Sequence, residues 1–171
     1  MFYNAALLKI LFIWATLNFT LCIGVAASES TFNLSGKVHI TKITDGDSLR
    51  SNNLKIRLFG IDALELRQQC KDSLGRKWSC GIAARSKLQD LVSRAPYLYC
   101  ALRDVDRYGR LVMKCFAGNT DIGEAMVKSG YALAYQQYAL DYLNQEKEAQ
   151  ELGRGIWSSD FMPPWDWRKT Q

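Results

Sequence analysis

The sequence has little histidine, and this scarcity excludes several kinds of site. Only His39 is present among the 171 residues. One imidazole cannot form a histidine-ligated metal site or a histidine pair acting as acid and base. His39 lies in a predicted strand, where we expect a structural or solvated role. The sequence also lacks internal repeats and low-complexity segments, so its length predicts one folded domain.

A calcium loop of the helix-loop-helix kind is also absent, although an acidic turn is present. The turn reads Asp45-Gly46-Asp47. A calcium loop beginning at Asp45 would need glycine at its sixth position and glutamate at its twelfth, where the chain has Arg50 and Ile56. A divalent cation would therefore have to be bound by separate segments of the chain.

The amino-terminal 27 residues have almost no charge, which is typical of an export signal. Lys9 is their single charged residue, an apolar run covers 10–25, and small residues precede a predicted cleavage after Ala27. The alternative is an uncleaved membrane anchor, because the run approaches the roughly 18 residues of a spanning helix. We expect a secreted or periplasmic protein, with a folded domain at 28–158 and a tail at 159–171 that no pattern places.

Four of the five cysteines would remain after the predicted leader and Cys22 are removed. They are Cys70, Cys80, Cys100 and Cys115. An even number in a small exported domain favours two disulfides, whereas a cytosolic protein would keep them as free core thiols. A hairpin centred on Arg107 and Tyr108 would place Cys100 opposite Cys115, within bonding distance. The other two remaining cysteines would then pair.

The hydrophobic pattern predicts five strands interrupted by one helix, with two further helices after them. The predicted strands are 32–43, 48–50, 54–61 and the two arms of a hairpin over 97–116, and the predicted helices are 81–92, 121–129 and 140–152. Asp121 and Glu124 form a capping-box pattern at the start of the second helix. Asp45-Gly46 predicts a tight turn with positive φ. This order suggests an α+β protein, a small Greek-key barrel of the OB type.

Carboxylates and an arginine flank the second and third predicted strands. Asp45 and Asp47 precede the second strand, Asp62 and Glu65 follow the third, and Arg57 points away from the core within the third. These side chains converge if the strands lie side by side. Carboxylates from separate strands suit the irregular coordination of calcium, and a guanidinium fork suits a phosphate.

The hairpin turn offers a second arginine for the same phosphate. Arg110 follows the turn at 106–109, and two arginine forks can stabilise the extra negative charge of a five-coordinate phosphorus. Tyr108, Tyr135 and Tyr138 can stack on bases, although a core or connecting role is the alternative.

Five stretches in order and spacing carry a family resemblance. They are Ile-Thr-Asp-Gly-Asp-Ser at 43–48, Ile-Arg-Leu-Phe-Gly-Ile-Asp-Ala-Leu-Glu at 56–65, Asp-Arg-Tyr-Gly-Arg at 106–110, Ala-Met-Val-Lys-Ser-Gly-Tyr-Ala at 125–132 and Gly-Ile-Trp-Ser at 155–158. In these stretches the chain resembles the staphylococcal-type thermonucleases, secreted calcium-dependent hydrolases with an OB fold. The resemblance implies cleavage of DNA and RNA at the bond between phosphorus and the 5′ oxygen, which leaves 3′-phosphate ends.

The resemblance also implies a role for each site residue. Asp47 and Asp62 would bind calcium directly, helped by the backbone carbonyl of Ala63 and supported by Asp45. Glu65 would orient or deprotonate the attacking water. The phosphate would be held by Arg57 and Arg110, and the nucleotide would lie near Tyr108 and Tyr135.

Two features depart from the family pattern. Ala63-Leu64 replaces the usual Thr-Pro, which would loosen the turn that directs Glu65. The four cysteines suggest a variant adapted to an oxidising compartment. An OB module that binds nucleic acid without cleaving it is the alternative function, but such a module has no reason to keep the complete set of acidic and arginine site residues.

Overall fold

A curled sheet with helices packed against it forms the part of the chain that the computed structural model describes, residues 34–171. Its strands are β1 (Ser35–Val38), β2 (Lys42–Ile43), β3 (Ser48–Ser51), β4 (Leu54–Leu58), β5 (Ile61–Ala63), β6 (Cys70–Lys71), β7 (Lys77–Trp78), β8 (Leu98–Val105), β9 (Leu111–Ala117), β10 (Thr120–Asp121) and β11 (Ala132–Ala134). Its helices are α1 (Cys80–Val92), α2 (Ile122–Lys128), α3 (Leu143–Glu151) and α4 (Pro164–Trp167), with short 3₁₀ turns at Gly155–Ser158 and Arg168–Thr170.

The main sheet has the order β1-β8-β9-β4-β3-β2, and β10 adds to β9. Among the described residues, the β4–β9 pair is the only parallel one. In β4 the residues alternate, so that Ile56 and Leu58 are buried in the core while Arg57 faces the other way. Helices α1 and α2 cover the core side through Leu88 and Met126. The α+β class is therefore confirmed, and the half-barrel with four helices is consistent with an OB fold.

The β8–β9 hairpin has the predicted register in the half farther from its turn. Cys100 lies opposite Cys115 and Leu102 lies opposite Met113, and the two cysteines form a disulfide. A bulge between Leu102 and Asp104 then shifts the pairing by one residue. Bulges increase the local twist of a strand, so we expect a stronger twist at this point of the hairpin.

Four local predictions were wrong. The strand at 32–43 is two strands, because β1 pairs with β8 while β2 pairs with β3; its first two residues lie outside the described part. Gly46 is not among the described residues with positive φ. The strand at 54–61 ends at Leu58, and Ile61 begins β5 after a turn at 59–60. The last helix begins at Leu143. Strand β11, which pairs with β5, lies where no strand was predicted.

The other predicted helices are confirmed. Helix α1 covers the predicted range, and Asp121 caps α2 by accepting a hydrogen bond from the Glu124 amide at 3.2 Å. His39 is exposed, and its Nδ1 lies 3.2 Å from the Pro96 carbonyl oxygen. Among the described residues no helix is both long and apolar enough to cross a membrane. The predicted leader and Cys22 lie outside those residues.

A second, smaller core holds the carboxyl-terminal segment against the barrel. The β6–β7 hairpin is closed by the Cys70–Cys80 disulfide, the second predicted pairing. This core contains Leu64, Cys70, Cys80, Leu133 and Ile156, with Trp78, Trp157, Phe161 and Trp165 packed around them. Lys71 and Asp160 exchange two backbone hydrogen bonds, of 2.9 and 2.8 Å. Residues 159–171 are thus packed on the barrel by way of the disulfide-closed hairpin.

Candidate active site

Arg57 joins two buried carboxylates, Asp47 in the turn before β3 and Asp62 in β5. Its Nη1 donates to Asp47 Oδ1 at 2.8 Å, and its Nη2 donates to Asp62 Oδ1 at 2.7 Å. Asp47 is 4% exposed and Asp62 is fully buried. Burial alone would lower the pKa of Arg57, but the charges of Asp47 and Asp62 outweigh it and raise that pKa. The predicted convergence of these three residues is therefore present.

Further hydrogen bonds fix the orientation of Asp47. Its Oδ1 accepts from Ser48 Oγ at 2.9 Å, and its Oδ2 accepts from the Ala63 amide at 3.1 Å. Asp45 lies in the same turn, and its Oδ1 accepts a hydrogen bond from the Asp47 amide at 3.1 Å. Burial first, and then the charge of Asp47, raise the pKa of Asp45 to about 6. The turn thus concentrates negative charge at one edge of the site.

The segment after β5 positions Glu65. The Glu65 amide donates to Gln68 Oε1 at 3.1 Å, and the buried Gln68 also donates to the carbonyl of Met162. Leu64 is fully buried in the second core, and Ala63 is paired with Ala132. The Ala63-Leu64 pair is therefore held by packing and strand pairing, although proline is absent.

Arg110 is presented by a turn built from its own neighbours. Asp106 Oδ1 accepts from the amides of Tyr108 and Arg110, both at 2.9 Å, and its Oδ2 accepts from Arg110 Nε at 2.6 Å. Burial would raise the pKa of Asp106, but these hydrogen bonds together lower it. Gly109 adopts a φ of 71°, which closes the turn. The Arg110 guanidinium lies 5.7 Å from the exposed Tyr108 ring.

The same turn occurs a second time, away from this site. Asp72 accepts from the amides of Leu74 and Arg76 and from Arg76 Nε, and Gly75 has a φ of 74°. Asp-x-x-Gly-Arg is therefore a local structure that this sequence uses in two places. Arg110 lines the cleft described below, whereas Arg76 does not.

An open cleft of about 1050 Å³ brings the candidate residues together. The predicted site residues that line it are Asp45, Asp47, Arg57, Ala63, Glu65, Tyr108, Arg110 and Tyr135. Lys55, Arg103 and Arg107 add positive charge to its walls. Asp62 lies beneath this surface, bonded to Arg57. The cleft thus combines carboxylates at its base with cations suited to a polyanion.

Tyr135 and Tyr138 have different environments. The Tyr135 ring centroid lies 6.0 Å from the Arg57 guanidinium carbon, and its ring is parallel to Trp165 with centroids 6.1 Å apart. Tyr138 is exposed and packs at a tilt against Tyr135, with centroids 4.8 Å apart. Tyr135 is therefore beside the site, but Trp165 of the carboxyl-terminal segment covers part of the Tyr135 ring.

The sequence did not predict the contribution of Arg168. Its Nη1 donates to Glu65 Oε1 at 2.7 Å and to Asp62 Oδ1 at 3.1 Å, while its Nη2 donates to Asp62 Oδ2 at 2.7 Å. Burial would lower the pKa of Arg168, but these contacts raise it. The tail has no periodicity that indicates the contact. Its tryptophans, which tend to be buried, were the only signal that it packs on the domain.

The donor set fits a hard divalent cation in its chemistry. Asp47 and Asp62 present carboxylate oxygens on either side of one guanidinium, and Asp45 adds a third carboxylate nearby. Within residues 34–171 no three acidic side chains converge closely enough to hold an ion by themselves. Calcium tolerates such a set, because backbone carbonyls and waters can complete its shell.

The fold and the site together define an α+β protein with an open cleft lined by carboxylates and arginines. Residues 55–159 match the family of staphylococcal nuclease homologues. The chain therefore belongs to this family, as its motifs predicted.

Three relatives illustrate the similarity. A probable staphylococcal-like nuclease of Oryza sativa subsp. japonica is 33% identical over 131 residues, which are 73% of this chain and 32% of that protein. An uncharacterized endonuclease of Haemophilus influenzae is 33% identical over 140 residues, 77% of this chain and 72% of that protein. The succinoglycan biosynthesis protein ExoI of Rhizobium meliloti is 31% identical over 117 residues, 67% of this chain and 61% of that one. This chain spans about a third of the length of the rice protein.

Proposed function

We propose that this chain is a calcium-dependent nuclease of the thermonuclease type. It would hydrolyse DNA and RNA at the bond between phosphorus and the 5′ oxygen and leave 3′-phosphate ends. The observation that carries the proposal is the Asp47–Arg57–Asp62 cluster at the base of a cleft whose wall includes Arg110. The nuclease names of the rice and Haemophilus relatives support it.

Asp47, Asp62 and the Ala63 carbonyl would hold the calcium ion, with Asp45 in support. The bound ion would supply positive charge to a phosphate oxygen. Arg57 and Arg110 would hold the same phosphate from the chain's side. Because both stay charged at all relevant pH values, they can stabilise the additional negative charge of the five-coordinate phosphorus.

Glu65 would accept the proton of the attacking water. The water oxygen forms a new bond to phosphorus, the bond from phosphorus to the 5′ oxygen breaks, and the 5′ oxygen leaves with a proton taken from solvent. A carboxylate can do this only within hydrogen-bond reach of the water. Glu65 lines the cleft and is partly exposed, which leaves it accessible to such a water. Tyr108 and Tyr135 would contact the nucleotide.

We also propose that the protein acts outside the cytoplasm, in the periplasm or secreted. The predicted leader supports this, and so do the Cys70–Cys80 and Cys100–Cys115 disulfides, which persist in oxidising compartments. An uncleaved leader would instead anchor the nuclease to the membrane.

The test is a digestion of single-stranded DNA and of RNA by the purified protein, with calcium or with a chelator, followed by analysis of the product ends. We expect cleavage with calcium, none with chelator, and 3′-phosphate ends. Tight binding without cleavage would favour the non-catalytic OB module. Ends that carry 5′-phosphate would refute the proposed cleavage side.

A further inference from the structure

Arg168 occupies the two carboxylates that the proposed reaction needs most. Its fork covers both oxygens of Asp62, the proposed cation ligand, and one oxygen of Glu65, the proposed base. Asp62 Oδ1 also accepts from Arg57, so guanidinium nitrogens make three hydrogen bonds to one buried carboxylate. The same fork places a donor on Glu65 Oε1, an oxygen that the proposed attacking water would need within hydrogen-bond reach.

Several tertiary contacts position the segment that carries Arg168. Residues 159–167 are positioned by the Lys71–Asp160 backbone pair, by Trp78 Nε1 donating to Ser159 Oγ at 3.1 Å, and by Gln68 donating to Met162. Trp165 then stacks on Tyr135, at the side of the cleft. These contacts bring the 3₁₀ turn that carries Arg168 directly over Asp62.

The Arg168 side chain differs from Arg110 in its contacts and from Arg57 in its exposure. Both of its terminal nitrogens are engaged with carboxylates, whereas Arg110 is held through its Nε by Asp106. The Arg168 side chain is 39% exposed, against 14% for Arg57. Exposure lowers the cost of undocking, because the freed guanidinium returns to water.

We propose that Arg168 is an internal competitor of the divalent cation, which must displace the Arg168 guanidinium from Asp62 and Glu65. The tail segment 159–171 thereby holds the enzyme in a latent form until calcium is abundant. This inference rests on the proposed function. The apparent affinity for calcium is reduced by the fraction of molecules in which Arg168 is docked.

The test measures calcium binding by isothermal titration calorimetry in the absence of nucleic acid. We expect Arg168→Gln to lower the calcium dissociation constant by about tenfold, since hydrogen bonds to charged groups typically favour the docked state by that factor or more. The matched control is Lys169→Gln. It removes the same charge from the adjacent residue, whose ammonium contacts only Asp166 among the described acidic groups, and it should leave the dissociation constant unchanged.

The outcomes separate this inference from the proposed function. A wild-type protein that binds calcium and cleaves DNA, together with an Arg168→Gln variant of equal or weaker affinity, overturns the inference alone. Equal gains in Arg168→Gln and Lys169→Gln would also overturn it, because the effect would then be one of net charge. A wild-type protein that neither binds calcium nor cleaves refutes both. If Arg168→Gln does not fold, Arg168→Lys is measured with the same expectation, because an ammonium lacks the planar fork.

Discussion

Gly46 and Ala63 approach each other so closely that a methyl group on Gly46 would lie 2.6 Å from the Ala63 Cβ. The same methyl would lie 3.0 Å from the Ala84 Cβ in helix α1. The acidic turn, strand β5 and helix α1 are therefore in direct contact at this glycine. Asp45 and Asp47, on either side of Gly46, are brought towards Asp62 by this contact.

Substitution of Gly46 by alanine should destabilise the protein and displace the acidic turn. Overpacking of a tight contact costs about 1–3 kcal/mol in the free energy of unfolding. Denaturant unfolding of Gly46→Ala measures this loss. The matched control is Gly36→Ala, because a methyl at Gly36 meets nothing within 4 Å. A similar small effect of both substitutions would contradict the packing role of Gly46.

Loss of either cleft arginine should reduce nuclease activity severely. Arg57→Ala and Arg110→Ala should each lower the cleavage rate by about a hundredfold or more, because in the proposed mechanism each side chain donates to the phosphate in the transition state. The rate is measured at saturating calcium on single-stranded DNA.

Arg76→Ala is the control for Arg110→Ala. Arg76 makes the same side-chain contact to Asp72, at 2.8 Å, in the same kind of turn outside the cleft. Its removal should leave the rate unchanged. Undiminished cleavage by either cleft variant would refute the assigned mechanism.

Replacement of Asp45 by asparagine should stabilise the calcium-free protein at neutral pH. Burial and the neighbouring Asp47 raise the pKa of Asp45 from 3.8 to about 6, so its ionisation disfavours the folded state. This loss of folding free energy is absent below pH 4, grows between pH 4 and 6, and reaches its full value above pH 6. Asp45 is partly exposed, which reduces the expected effect. We expect Asp45→Asn to raise the free energy of unfolding by about 1–2 kcal/mol at pH 8 and to leave it unchanged at pH 3.5.

Thermal melts of the chelated protein at the two pH values measure this difference. Asp90→Asn, which changes an exposed carboxylate on helix α1, is the control for net charge. An equal gain for Asp45→Asn at both pH values would show that ionisation of Asp45 is not the cause.

Removal of the Cys70–Cys80 disulfide should weaken the second core. A loop of this length, with a sequence separation of 10, is expected to contribute about 2–3 kcal/mol to the free energy of unfolding. A Cys70→Ala, Cys80→Ala double variant keeps Cys100–Cys115 intact, so denaturant unfolding isolates the contribution of the hairpin. An unfolding free energy equal to that of the wild type would show that packing alone holds the hairpin.

The sequence predicted those parts of the site that depend on neighbouring strands. Asp47 and Arg57 converge because β3 and β4 are joined by a short turn, and side-chain alternation puts Arg57 on the cleft side. The pairing of Cys100 with Cys115 followed from the predicted position of the hairpin turn at Arg107 and Tyr108. Local pattern and short connections were sufficient in both cases.

The remaining features depend on contacts between distant segments. Arg168 reaches Asp62 across 106 positions, and no periodicity in the tail indicates which surface it meets. Gly46 was interpreted from local turn preferences, yet its lack of a side chain serves packing against Ala63 and Ala84. The predicted first strand was divided for a similar reason, because its two halves pair with different strands.

The short distance in sequence between Arg168 and Gln171 affects where a tag can be placed on the expressed protein. An affinity tag or another domain attached after Gln171 would be separated by only three residues from Arg168, whose guanidinium contacts Asp62 and Glu65. If Arg168 competes with calcium as proposed, an attachment that displaced the tail would also change the apparent calcium affinity. Activity comparisons should therefore use protein without a carboxyl-terminal fusion.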